Sequence, residues 1–205
     1  LFDMPRIGKC FEDLYHRSYN EEDVQGRYED FQRLLFSTLK EYTTPIPHVI
    51  ETLDQLRAQG IKIGSTTGYT REMMDVVIPA AAAKGYQTEN CVTSDGLPGG
   101  RPYPYMIYKN MCDLAVPSRM SVLKYGDTIS DIKEGVNAGV WTVGAIIGSN
   151  EMGLTEEEFL QLSAEDRRQK MAEVRHRMYA AGADYVVDDI TELPALIEAI
   201  NKRMN

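Results

Sequence analysis

From residue 48 onward the chain alternates short β-branched runs with amphipathic helical stretches, and this alternation most narrows what it can fold into. Residues 140–146 are β-branched and nearly continuous, the clearest strand in the sequence. Shorter strands are predicted at 61–65, 91–93, 121–125 and 185–187. Between them the spacing predicts helices, the first with Pro47 in its opening turn and Val49, Leu53 and Leu56 on one face. Others follow from Arg71, from the turn held by Pro102 through Met106, Met111 and Leu114, and over 131–138, 156–162 and 164–181. Thr191 is expected to cap a last helix, and Pro79 to kink or shorten the one it falls in. Strands alternating with helices imply an α/β fold with a parallel, doubly wound sheet, whose ligands bind beyond the carboxyl ends of the strands.

Residues 1–43 read differently, as two amphipathic helices with no strand between. The second starts after Asn20, an N-cap followed by Glu21, Glu22 and Asp23 at the positive end of the dipole. Val24, Tyr28, Phe31, Leu34 and Leu35 then recur at helical spacing. Two prolines within 42–47 mark a boundary, giving a helical piece, 1–43, and an α/β piece, 44–205.

Composition excludes several classes. Twenty-two Lys and Arg against 31 Asp and Glu leave a net charge of −9, so the chain lacks the basic stripe of a nonspecific nucleic-acid binder. Its most apolar stretch, 138–148, is about half of the ~20 residues a membrane-spanning helix needs. Cys10, Cys91 and Cys112 are an odd, scattered set, which argues against a disulfide framework and for a reducing cytoplasm. His16, His48 and His176 lie far apart and read as surface residues.

Three constellations fall at strand ends. In 125–131 a glycine turn leads to Asp127 and Asp131, four residues apart at a helix start. Oxygen ligands on a short loop suit Mg²⁺, with Asp127 on the metal and Asp131 behind it; the alternative is a helix start whose acids complement the dipole. In 65–70, hydroxyls of Thr66 and Thr67 and the N–H of Gly68 suit a phosphoryl group, or form no more than a Thr-rich cap. In 99–102 a single cation, Arg101, follows a flexible loop; its planar fork matches phosphate oxygens, although most arginines are surface residues. Together the three point more strongly to an anion-and-metal site than any one alone. Met73, Met74, Met106 and Met111 read as core filler, 155–158 as a capped helix start, and the arginines at 167–168 and 175–177 as an exposed face.

The runs GSTTGYTREMM (64–74), GRPYP (100–104) and GDTISDIKEG (126–135) closely resemble the phosphonatase branch of the haloacid dehalogenase superfamily. MPRI (4–7), WTVG (141–144) and GSNEMGLT (148–155) are similar to it too, so the likeness spans the whole chain. The resemblance implies a Rossmann-like core with a parallel sheet plus a small helical cap domain, to which residues 1–43 would contribute. It implies Mg²⁺-dependent hydrolysis of the carbon–phosphorus bond of phosphonoacetaldehyde to acetaldehyde and phosphate, within 2-aminoethylphosphonate degradation, by a homodimer. In such enzymes a cap lysine captures the aldehyde as a Schiff base and a core aspartate takes the phosphoryl group.

Carried over by motif, Thr67 and Gly68 would hold the phosphoryl group beside Thr66 and Arg101. Asp127 would be a Mg²⁺ ligand, Asp131 would position the metal shell, and Tyr69 would border the pocket. The sequence departs from the family in having no D-x-x-G-T run for the nucleophile and no lysine matching the Schiff-base position; Lys9 falls too late. The expectation is therefore that Leu1 is not the biological start. Roughly 60 residues, including the central strand and the lysine, would precede it, and without that strand the sheet would be gapped. Two alternatives stay open: a phosphatase or phosphomutase of the same superfamily, and a noncatalytic phosphate-binding relative.

Overall fold

A computed structural model describes residues 11–204. The MPRI run, Cys10 and most of the first predicted helix lie outside the described residues, as do the side chains of Val24, Tyr28 and Phe31. The chain divides into two compact units, Leu1–Thr43 and Thr44–Asn205.

In the first unit, residues 11–15 are helical and helix α1 spans Glu21–Thr38. Asn20 caps α1 in a reciprocal box: its side chain accepts from the Asp23 N–H, and Asp23 accepts from the Asn20 N–H. Arg17 clamps the same Asp23 carboxylate through both guanidinium nitrogens, at 2.6 and 2.7 Å.

The second unit holds helices α2 (Val49–Ala58), α3 (Arg71–Ala82), α4 (Tyr105–Asp113), α5 (Ile129–Ala138), α6 (Glu156–Gln161), α7 (Ala164–Ala180) and α8 (Leu193–Met204). They alternate with strands β1 (Gly64–Thr67), β2 (Asn90–Thr93), β3 (Leu123–Gly126), β4 (Trp141–Ala145) and β5 (Tyr185–Val187). All pairings are parallel. β1 pairs with β2, and separately β3 pairs with β4 and β4 with β5.

Helices cover both faces. On one, Leu123 and Tyr125 of β3 pack with Val49, Leu53 and Leu56 of α2 and with Leu193 of α8. On the other, Ile132 of α5, Ile146, Val186 of β5 and Val174 and Met178 of α7 form a second core. β3 alternates, so Leu123 and Tyr125 fill the first core while Lys124 and Gly126 point the other way. β1 and β3 are not paired with each other; between them Lys124 reaches across to Thr66.

Several boundaries differ from the sequence expectation. β1 starts three residues late, because the backbone of Ile61 and Ile63 bonds elsewhere: Ile61 donates to Leu56, and Ile63 exchanges bonds with Glu89. β3 also starts late, since Arg119–Ser121 is a 3₁₀ turn capped by Ser118. Pro79 does not end α3, which runs on to Ala82; lacking an N–H, a proline forgoes a single i−4 bond. Pro47 and Pro102 precede their helices rather than opening them. Thr191 is not the cap of the last helix: the Asp189 side chain accepts from its N–H and hydroxyl, in a 3₁₀ turn that leads into α8.

Arg168 and Arg177 of α7 are exposed as expected, but three of its four arginines also make contacts. Arg175 reaches the Val186 carbonyl and Asp188, fastening α7 to β5, Arg177 bonds Glu151, and Arg167 lies over the Phe159 ring.

The approach of α5 to the sheet needs a missing side chain. A Cβ on Gly135 would stand 2.4 Å from Thr142 Oγ1 and 3.1 Å from Lys124 Cβ. Thr142 is β-branched and fully buried, so it yields little. Alanine in a helix gains roughly 1 kcal/mol over glycine, but overpacking costs about 1–3 kcal/mol. Gly135→Ala is therefore expected to be net destabilising, read as a lower denaturation midpoint at unchanged slope in urea unfolding.

Candidate active site

The predicted residues converge from three segments: the end of β1, the loop before α4, and the turn from β3 into α5. Gly126 ends β3 and lets the chain fold against α5, since a Cβ there would lie 2.3 Å from the Asp131 Cβ. Thr128 then caps α5, accepting from the Asp131 N–H at 3.1 Å and giving its own proton to Asp131 Oδ2 at 2.6 Å. That cap turns Asp131 inward, and it is 3% exposed.

Asp131 is the hub. Arg101 donates to its Oδ1, and Lys124 Nζ stands 2.9 Å from the same oxygen. Lys124 also lies 2.8 Å from Glu134 Oε2, and it donates to Thr66 Oγ1 at 2.8 Å. Thr66 passes its proton to Glu134 Oε2 at 3.0 Å. Glu134 is fully buried, and its second oxygen has no partner among the described residues. Two acids and two cations thus balance in a nearly dry cluster. Burial opposes ionisation of Asp131, but Lys124, the Thr128 hydroxyl and Arg101 outweigh it and hold its pKa below the usual carboxylate range.

Around this hub the other candidates take distinct places. Thr67 Oγ1 accepts from the Tyr69 N–H at 3.1 Å, which leaves the hydroxyl proton to give. A Cβ on Gly68 would come within 3.8 Å of the Arg101 guanidinium, so the β1 turn and that cation are neighbours. Tyr69 is 40% exposed. Asp127 does not join the hub: its Oδ2 accepts from the N–H and the side-chain amide of Asn150, at 3.0 and 2.9 Å. Its surroundings are acidic. Burial pushes the Tyr125 phenol up, and the negative charges of Asp189, Asp127 and Glu192 push it further. The described residues contain no cluster of three or more His, Cys, Asp or Glu side chains able to hold a metal by themselves.

The structure gathers Thr66, Gly68, Arg101 and Asp131, leaves Thr67 and Tyr69 on the adjoining turn and Asp127 apart on Asn150, and adds Lys124, Glu134 and Asn150, which the sequence did not single out as site residues. Glu134 had a usable signal. It lies three residues after Asp131, on the stripe with Gly135 and Ala138 that faces the sheet.

The haloacid dehalogenase-like hydrolase family model matches residues 5–145. The chain is 57% identical over 203 residues to a phosphonoacetaldehyde hydrolase of Parabacteroides distasonis, covering 99% of this chain and 77% of that one. It is equally 57% identical to a Bacteroides fragilis protein of the same name, covering 100% of this chain and 78% of the relative. A crystal structure of a phosphonoacetaldehyde hydrolase-like protein from Oleispira antarctica superposes with a TM-score of 0.89 at 34% identity, covering 97% of this chain and 72% of that chain.

The electrostatics of the hub predict an acid dependence. A carboxyl whose native pKa is depressed stabilises the fold above its unfolded value, about 3.9, and that stabilisation is lost as pH falls through the native pKa. Asp131→Asn removes this contribution and leaves two cations facing one acid. It is expected to cost about 3–5 kcal/mol at neutral pH and to flatten the fall in stability below pH ~4, read by urea unfolding across pH.

Proposed function

The chain belongs to the phosphonoacetaldehyde hydrolases within the haloacid dehalogenase-like hydrolases, and on that footing we propose how its site works. It is a hydrolase that cleaves the carbon–phosphorus bond of phosphonoacetaldehyde, giving acetaldehyde and phosphate. The observation that carries the site reading is the meeting of Thr66 and Gly68, Arg101 and Asp131 from three separate segments at one set of strand ends.

The departing phosphoryl group spreads negative charge over its peripheral oxygens, so catalysis is mostly positioning and charge stabilisation. Thr67 donates its unused hydroxyl proton to one oxygen and Gly68 its N–H. The Arg101 guanidinium forks onto the others. Asp127 holds Mg²⁺. Its second carboxylate oxygen has no hydrogen bond among the described residues and is a donor of the hard type this ion prefers. When bound, Mg²⁺ neutralises charge on the phosphoryl oxygens. Asp131 orients the turn that carries Asp127. Tyr69 stands at the exposed edge, where the aldehyde end of the substrate enters.

A carbanion leaves only if its electron pair has somewhere to go. An imine between the aldehyde and a lysine is that sink, with an aspartate receiving the phosphoryl group. The protein acts as a cytoplasmic homodimer, with Cys91 and Cys112 as free thiols. No helix among the described residues is long and apolar enough to cross a membrane.

In the complete gene product, Asp127→Asn and Arg101→Ala are each expected to lower kcat/KM by about 10²-fold or more, measured as acetaldehyde and phosphate release. Near-normal turnover in either variant would contradict a metal-holding Asp127 or a phosphoryl-binding Arg101. Chelation is expected to abolish turnover and Mg²⁺ to restore it. Borohydride with phosphonoacetaldehyde is expected to leave a covalent adduct in the intact mass.

A further inference from the structure

Two cations, not one, meet Asp131 Oδ1, and they are held in different ways. Arg101 comes from a loop and is 22% exposed, and among the described residues Asp131 is its hydrogen-bonding partner. Lys124 comes from the middle of β3 and is 11% exposed. Its ammonium faces three oxygens: Asp131 Oδ1 at 2.9 Å, Glu134 Oε2 at 2.8 Å and Thr66 Oγ1 at 2.8 Å. An ammonium has three protons; one goes to Thr66, and both carboxylates hold its charge at salt-bridge distance within the cluster. A guanidinium has five, so Arg101 keeps donors beyond the one on Asp131.

Glu134 completes the arrangement. It is fully buried, one of its oxygens has no partner among the described residues, and the other is served by Lys124 and Thr66. A carboxylate in that position depends on Lys124 for its counter-charge, and it fixes the lysine between the two sheets.

We propose that Lys124, anchored by Glu134, is a positioning residue that holds Asp131 and Thr66 in place, so that Arg101 can leave Asp131 and take up the phosphoryl group. This rests on the phosphonatase reading above and adds a division of labour within it. With Arg101 alone on Asp131, a guanidinium that turned wholly onto an anion would strip a buried carboxylate of its counter-charge. With Lys124 in place the carboxylate stays paired whether Arg101 is on it or on the ligand. Thr66 stays bonded on both sides, which steadies the strand end that presents Thr67 and Gly68.

The test uses the complete gene product, steady-state turnover of phosphonoacetaldehyde, and inhibition by inorganic phosphate as the probe of anion affinity. Lys124→Met is expected to lower kcat about tenfold or more and to raise the phosphate inhibition constant by less than Arg101→Ala does, since Arg101 is then held on Asp131. Lys124→Arg is expected to recover part of the loss. Glu134→Gln is expected to lower kcat several-fold with phosphate inhibition unchanged, and to cost less when added to Lys124→Met than to the parent. Arg101→Ala, by contrast, is expected to raise the phosphate inhibition constant about tenfold or more.

The proposal is overturned if Lys124→Met keeps the parent kcat. It is equally overturned if that variant weakens phosphate inhibition as much as Arg101→Ala does, since Lys124 would then itself be an anion ligand. Should Lys124→Met fail to fold, Lys124→Arg and Glu134→Gln decide, and parent kcat in both overturns it. A parent enzyme that leaves phosphonoacetaldehyde intact would sink the phosphonatase reading instead, a result separate from these.

Discussion

Asp131 and Glu134 lie almost out of water, and two cations brought from other parts of the chain meet them there. Lys124 arrives because β3 alternates its side chains, and Arg101 because the loop after β2 folds back over the β1 turn. Remove the cations and two buried acids lose their compensation. Remove the acids and two cations repel in a nearly dry pocket. A buried ion network of this kind adds little net stability over a well-packed apolar one, because desolvation offsets most of the attraction. Its presence is better explained by what it arranges. It keeps a hydroxyl, a glycine N–H and a guanidinium within reach of one another.

The chemistry builds on that arrangement. Phosphoryl transfer asks a protein for little covalent work and for much placement of charge. The site separates its charges accordingly: cations and donors gather around Asp131, while acids dominate around Asp127 and Tyr125. An anion with an associated cation fits across such a boundary, and either charge alone fits it less well.

Much of this was legible in the sequence, for physical reasons that differ by residue. β5 and α6 were placed closely, β5 as a short β-branched run and α6 by a Thr155–Glu158 capping box that signals its own start. β1 was displaced because Ile61 and Ile63 are apolar and extended yet bond to a helix end and to Glu89 instead of to a strand. Periodicity reports burial, and at these two residues burial and pairing part company. Asp127 and Asp131 stood out because acids after a strand and a glycine are unusual in themselves. Lys124 and Glu134 did not, since a lysine in a strand and a glutamate in a helix usually face water. Only tertiary packing turns them inward, although the spacing from Asp131 already placed Glu134 on the buried stripe of α5.

This scaffold serves scission of a carbon–phosphorus bond rather than of a phosphate ester. Phosphorus-31 spectroscopy of phosphonoacetaldehyde incubated with the complete gene product and Mg²⁺ reads that bond directly. The phosphonate resonance is expected to be replaced by that of inorganic phosphate, with acetaldehyde appearing in equal amount. An unchanged phosphonate resonance from a protein that releases phosphate from simple phosphate esters would contradict it.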